Sequence, residues 1–335
     1  MSTVSTKLRR FGYVLLPLSV LLSGCAGTTV TQGRVDSAEE NILMEVVASL
    51  YDYQLQNAAG QPLAMEQLLK DVSDADVVMV GEWHAHPAVH LFQAKLMAAL
   101  ASEERPLSLS MEHFSRADQA ELNRYLAGEI GESTLLKNTK AWDNYKSDYR
   151  PLVEIARHQK LPVIAANAPR KYVKCVGRIG PDYLNSIEGE ERALVAAKVD
   201  ISDSPYRQKF LGNMKGMSLP EERIGKMFGA QMTWDATMAE SIALHVEQHP
   251  ERRVFHVAGR FHTEGGLGTG AELLKLNPDL NIVYVTAVTE GEKLSGDDYR
   301  LLVQELPPMW VNKEERNAVM AGHKRSKVDC GEDES

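Results

Sequence analysis

Short, continuous apolar runs bounded by turn residues recur along this chain. They fall at Asp76–Gly81, Pro106–Met111, Leu161–Ala165, Arg253–Ala258 and Asn281–Thr286. Such runs, without strict alternation, suit strands covered on both faces of a sheet. Between them the apolar spacing becomes helical. Pro87 opens a helix that continues over Val89–Ala101, and further helices are expected at Met65–Asp71, Ile224–Glu247 and Ala271–Leu276. A strand is expected around Ser49–Leu55 and an edge strand at Tyr299–Val303. Residues 115–155 and 170–248 carry no strand pattern and read as helical insertions. Strands alternating with helices predict an α/β fold: a mostly parallel sheet flanked by helices, with an inserted helical lobe over the strand ends.

The N-terminus reads differently. Lys7, Arg9 and Arg10 precede an apolar segment, Val14–Leu21, that is too short to span a bilayer. It runs into Leu22-Ser23-Gly24-Cys25, a string similar to the bacterial lipobox, with Cys25 as the acylated residue. Ala26, in place of aspartate, fits sorting to the outer membrane of a Gram-negative cell. Residues 1–24 are then a signal peptide, 25–40 a lipidated tether, 41–310 the folded domain and 311–335 a polar tail. Losing Lys7, Arg9 and Arg10 takes the formal charge from −9 to −12. That balance argues against nucleic acid as a partner and leaves the lipid as the expected link to the membrane. Beyond Cys25 only Cys175 and Cys330 remain, and no disulfide framework is expected from them.

Two turns carry the chemistry. Gly81-Glu82-Trp83-His84 follows the first core strand, and Gly259-Arg260-Phe261-His262 follows a later one. Ligands of open α/β sheets bind at the carboxyl ends of strands, so both histidines are expected in one site. Glu112 and His113 end another strand, and His84, His86 and His90 lie within seven residues. Glu82, His84, Glu112 and His262 could bind a divalent metal or act as a carboxylate base with an imidazole acid. His-Glu-x-x-His is not present. The loop from His262 to Gly270, rich in glycine and next to Arg260, could receive an anion on backbone N–H groups. His256, His245 and His249 read as structural. The methionines and Trp234 of the helical stretch read as core.

Several segments together resemble the ChaN-like haem-binding lipoproteins. They are Val77–His84 with Pro87, His90 and Gln93, then Tyr149-Arg150-Pro151, Asn167-Ala168-Pro169-Arg170, Gln231–Ala239 and the turn at Gly259–Gly268. The resemblance spans roughly residues 50–290. It implies an outer-membrane lipoprotein of haem and iron uptake, working with an outer-membrane haem receptor. It also implies a homodimer that stacks two haems, with a tyrosine on each iron. Tyr149 is the first candidate for that ligand and Tyr145 the second. Propionate or pocket candidates are His84, His86, His90, Arg260, Lys146, Gly265 and Gly266. The wider superfamily, with Tiki-type proteases and erythromycin esterases, implies an alternative. That alternative is a hydrolase dependent on Mn, Co or Zn that uses Glu82, His84, Glu112 and His262.

Overall fold

The computed structural model describes residues 47–214, 219–294, 296–321 and 328–330. The signal peptide, Cys25 and the tether lie outside the described residues. Among the described residues, seven strands form one sheet in the order β1-β7-β6-β2-β5-β3-β4. They are β1 (Tyr53–Gln56), β2 (Val77–Glu82), β3 (Leu107–Ser115), β4 (Val163–Asn167), β5 (Arg253–Gly259), β6 (Ile282–Val288) and β7 (Tyr299–Val303). Every pairing is parallel except β1 with β7. The expected α/β architecture is therefore present. The strand at Tyr299–Val303, however, lies inside the sheet, because β1 adds beyond it and becomes the edge. β1 is short and its partner is distant in sequence, so local pattern gave no hint of that order.

The helices divide between the two faces. α1 (Met65–Asp71), α2 (Pro87–Leu100), α3 (Gln119–Leu126), α4 (Glu132–Thr139) and α5 (Arg150–Gln159) contribute to the first core. A π-helical turn, Tyr145–Tyr149, leads into α5. After α6 (Arg170–Ile179) and α7 (Pro205–Asn213) comes the long α8 (Glu221–Gln248). The short α9 (Arg260–Thr263) follows β5 directly, and α10 (Thr269–Leu276) precedes β6. α11 (Lys313–Ala321) buries none of its residues.

Strand alternation sorts the side chains. Val78, Val80, Leu107, Leu109, Met111, Phe255 and Val257 enter the first core, with Phe92, Leu96 and Val153 from the helices. Their neighbours Val77, Met79, Val254 and Ala258 enter a second core with Met238, Ala239 and Ile242 of α8. α8 thus packs on this sheet face, together with Leu273 of α10, rather than only capping strand ends. Burial of apolar surface on both faces is the main stabilising term. Cys175 of α6 and Cys330 form a disulfide, with Cα atoms 5.6 Å apart. This corrects the expectation of unpaired cysteines: a lone pair 155 residues apart has no spacing signature to read. Among the described residues, no helix is long and apolar enough to cross a membrane.

Candidate functional site

β2, β3 and β5 end side by side, and their last residues build two half-sites on opposite faces of the sheet. Glu82, the final residue of β2, points to the face covered by α2 and α5. It is buried, and its carboxylate gathers several donors. The Gln93 amide donates to Oε2 at 2.6 Å, and the Tyr149 hydroxyl donates to Oε1 at 2.8 Å. His113 Nε2 lies 3.1 Å and His84 Nδ1 2.9 Å from Oε1. Burial alone would raise the Glu82 pKa, but the charge and hydrogen bond of His113, the bond to His84 and the charge of His90 hold it well below the usual range. The rings around it are packed together. His113 stacks on Tyr149 with centroids 3.5 Å apart, and Trp142 lies edge-on to His113 and His84 at 4.7 and 4.9 Å.

Glu112 faces the other way, towards α8. The Gly259 N–H donates to its Oε2 at 2.7 Å, and His262 Nε2 is 3.6 Å from Oε1. The other ring nitrogen of His262 lies 2.8 Å from Asp235 Oδ1. Asp235 also accepts from Thr269 at 2.9 Å and from the Tyr206 hydroxyl at 2.8 Å. Burial opposes the charge on His262, but Asp235 and Glu112 outweigh it and push its pKa up to about 9. With Asp235 bonded at one nitrogen and Glu112 3.6 Å from the other, the surroundings of the His262 ring favour its protonated form. Burial opposes the charge on Glu112 too, and His262 and His84 bring its pKa below the usual range.

His84 sits above the boundary between the halves, with 45% of its side chain exposed. A Cβ on Gly259 would lie 2.9 Å from its Cε1 and 3.0 Å from its Nε2, so glycine is what lets the ring settle there. Gly81 is equally constrained, since a Cβ would strike Thr263 Oγ1 and lie 3.0 Å from the Arg260 Cα. Burial lowers the affinity of His84 for a proton, but the bond to Glu82 and the charge of Glu112 raise it overall. Ligand atoms of Glu82, His84 and His113 all lie within 4.8 Å of one another, a spacing suited to a metal ion.

The structure brings Glu82, His84, Glu112 and His262 together. The haem-directed candidates scatter. Tyr149 and Tyr145 are buried, and burial pushes both phenols up in pKa, with Glu82 adding to the effect at Tyr149. In this conformation neither presents a phenolate to a surface ligand. His86 binds the Gln304 carbonyl at 2.8 Å, and His90 lies 3.0 Å from Gln93 Oε1. Arg260 is occupied by Glu264, Glu292 and the Ala287 carbonyl. The Gly265 N–H donates to Asp298 at 2.9 Å, so the loop already holds a carboxylate. Gly266 and Gly270 make room for the Tyr284 ring. Lys146 is exposed. Sequence reasoning met Gln93 and Asp235 only inside family-like segments, with no role given to either, and did not name Tyr206. Asp235 had one local signal, a lone acid amid Met232-Thr233-Trp234 and Ala236, where a charge needs a buried partner.

An open, mostly parallel sheet with paired Gly-x-x-His turns at its strand ends defines a fold class that comparison with known proteins makes specific. The family model for haem-binding uptake proteins of the Tiki superfamily, ChaN, matches residues 68–273, and the chain belongs to this family. Among solved structures, ChaN of Campylobacter jejuni, described with cofacial haem binding, superposes with a TM-score of 0.60. It is 19% identical, over 76% of this chain and 98% of that one. Erythromycin esterase EreC, a mutant in its open conformation, is 12% identical with a TM-score of 0.44, over 81% and 87%. A succinoglycan biosynthesis protein gives 16% and 0.40, over 70% and 73%. No curated protein matches the sequence.

Proposed function

We propose that this protein binds haem at the carboxyl edge of its sheet and serves haem uptake, held to the outer membrane through a lipid on Cys25 and acting as a homodimer with a receptor partner. Family membership carries this reading. The donor set at the edge fits the cofactor. His84 is the half-exposed imidazole of the cluster, and its Nδ1 is engaged by Glu82. Trp142 beside it and Trp83, over which the Arg260 guanidinium lies at 5.2 Å, offer flat apolar surface. Haem bound there would supply an iron centre. The chain's own residues would orient it: His84 as a nitrogen donor, the tryptophans against the ring, and Lys146 for a propionate. Tyr149, by contrast, keeps its proton for Glu82.

Titration of the full chain with hemin tests this. The expected result is a saturable Soret shift, weakened about tenfold or more in His84→Ala. No shift overturns the reading. A shift that survives His84→Ala but is lost in the Tyr149→Phe, Tyr145→Phe double variant moves ligation to a phenol.

The spacing of Glu82, His84 and His113 favours a second reading, a metal-dependent hydrolase. In it Glu112 and the His262 imidazolium would handle protons beside the metal. Protein purified without chelator would then carry stoichiometric Mn, Co or Zn, lost in His84→Ala. Metal-free protein with no such uptake ends that reading.

A further inference from the structure

β3 carries a polar side chain at every second position on its α8 face: Ser108, Ser110 and Glu112. The residues that alternate with them, Leu107, Leu109 and Met111, are apolar and fill the opposite core. Each of the three polar residues faces a histidine. His245 Nε2 lies 2.8 Å from Ser108 Oγ, His256 Nδ1 3.0 Å from Ser110 Oγ, and His262 Nε2 3.6 Å from Glu112. These histidines come from α8, β5 and α9, so no local sequence repeat produces the file. Its lower end is open to solvent. His245 and His249 line a cavity of about 310 Å³ at the amino-terminal end of β3, with Gln119, Asn123 and Ser241.

The middle of the file is the telling part. His256 is fully buried, and its Nε2 has no hydrogen-bond partner among the described residues. A buried ring nitrogen in a polar file is ordinarily satisfied by an ordered water. Successive same-face positions of a strand are about 7 Å apart, a gap that one or two waters bridge.

We propose that Ser108, Ser110, His245 and His256 form a proton-exchange path. It links the buried Glu112–His262 pair to the cavity at the opposite edge of the sheet. The inference rests on the site's geometry and not on the haem reading. Burial lowers the His256 pKa to about 3 and, with the charge of His249, that of His245 to about 4. Both rings are therefore neutral near pH 7 and can pass a proton without holding a charge. As one nitrogen of His256 accepts a proton, the other releases one. The ring ends neutral in its other tautomer, and the reverse transfer resets it.

The test is the rate at which the His262 imidazole N–H exchanges with solvent, read by nitrogen-15 NMR on the full chain. His256→Gln keeps hydrogen bonding but has no second tautomer. We expect it to slow exchange about tenfold or more while the thermal melt and the His262 chemical shift stay in place. Unchanged exchange in the folded variant overturns the proposal. Should His256→Gln fail to fold, the wild-type ring decides: nitrogen shifts showing both tautomers of His256 in exchange support the path, and one locked tautomer overturns it.

Discussion

The Glu82 and Glu112 halves hold the same charge by different means. Glu82 is surrounded by Gln93, Tyr149, His113 and His84, four partners from four segments. Glu112 has one backbone donor and the charge of His262, itself fixed by Asp235. The first arrangement is a hydrogen-bond network that loses much when its centre is removed. The second is a titrating chain, Asp235–His262–Glu112, whose strength follows pH. One half is built for rigidity and the other for proton balance.

Removing each centre would sharpen that contrast most. Glu82→Ala strands His113, Tyr149 and Gln93 in a dry pocket and should cost about 3–5 kcal/mol. Glu112→Ala should cost about 1–3 kcal/mol. Urea unfolding midpoints at fixed m-value would measure both. Equal losses would erase the distinction.

The next effect is in pH. The His262 pKa is raised in the folded chain to about 9, from an ordinary value of 6.5. Its stabilisation is therefore fully present below about pH 6.5 and is lost as pH rises through about 9, a change on the order of 3 kcal/mol. Asp235→Asn should bring the His262 titration down towards its ordinary value and flatten that decline. Unfolding at about pH 6 and about pH 9.5 in both proteins checks the sign. A decline of the same size in Asp235→Asn would show that the aspartate does not set it.

The smallest change separates the halves at their boundary. Gly259→Ala puts a methyl against the His84 ring, which is half-exposed and can swing away. The stability cost should be about 1 kcal/mol. Hemin affinity should nevertheless fall, while Gln93, Tyr149 and His113 still hold Glu82. A full loss of folding would instead show that the bond from His84 to Glu82 is essential to the network.

Much of the frame was legible because buried parallel strands write themselves as continuous apolar runs. β2, β4, β5 and β6 all fall within two residues of their expected positions. β3 runs on to Ser115, past the last apolar residue expected of it, because its polar end is paid out into the site and its pairing with β4 shifts register after Met111. The neighbours of β7 were not legible, since strand order is set by contacts far apart in sequence. The strand-end location of the site was legible from Gly81 and Gly259, which crowd His84, Thr263 and Arg260 when given a side chain. Partners on remote helices were not. Asp235 of α8 meets His262, and Tyr206 of α7 meets Asp235, only through the packing of elements far apart in sequence.

Glu112 and His113 are consecutive residues of β3, yet each belongs to a different half-site. Their Cα atoms are about 3.8 Å apart, joined by one planar peptide. The two faces of the sheet, separate as cores, are therefore one residue apart where the strand ends, and a change that moves this backbone reaches both networks.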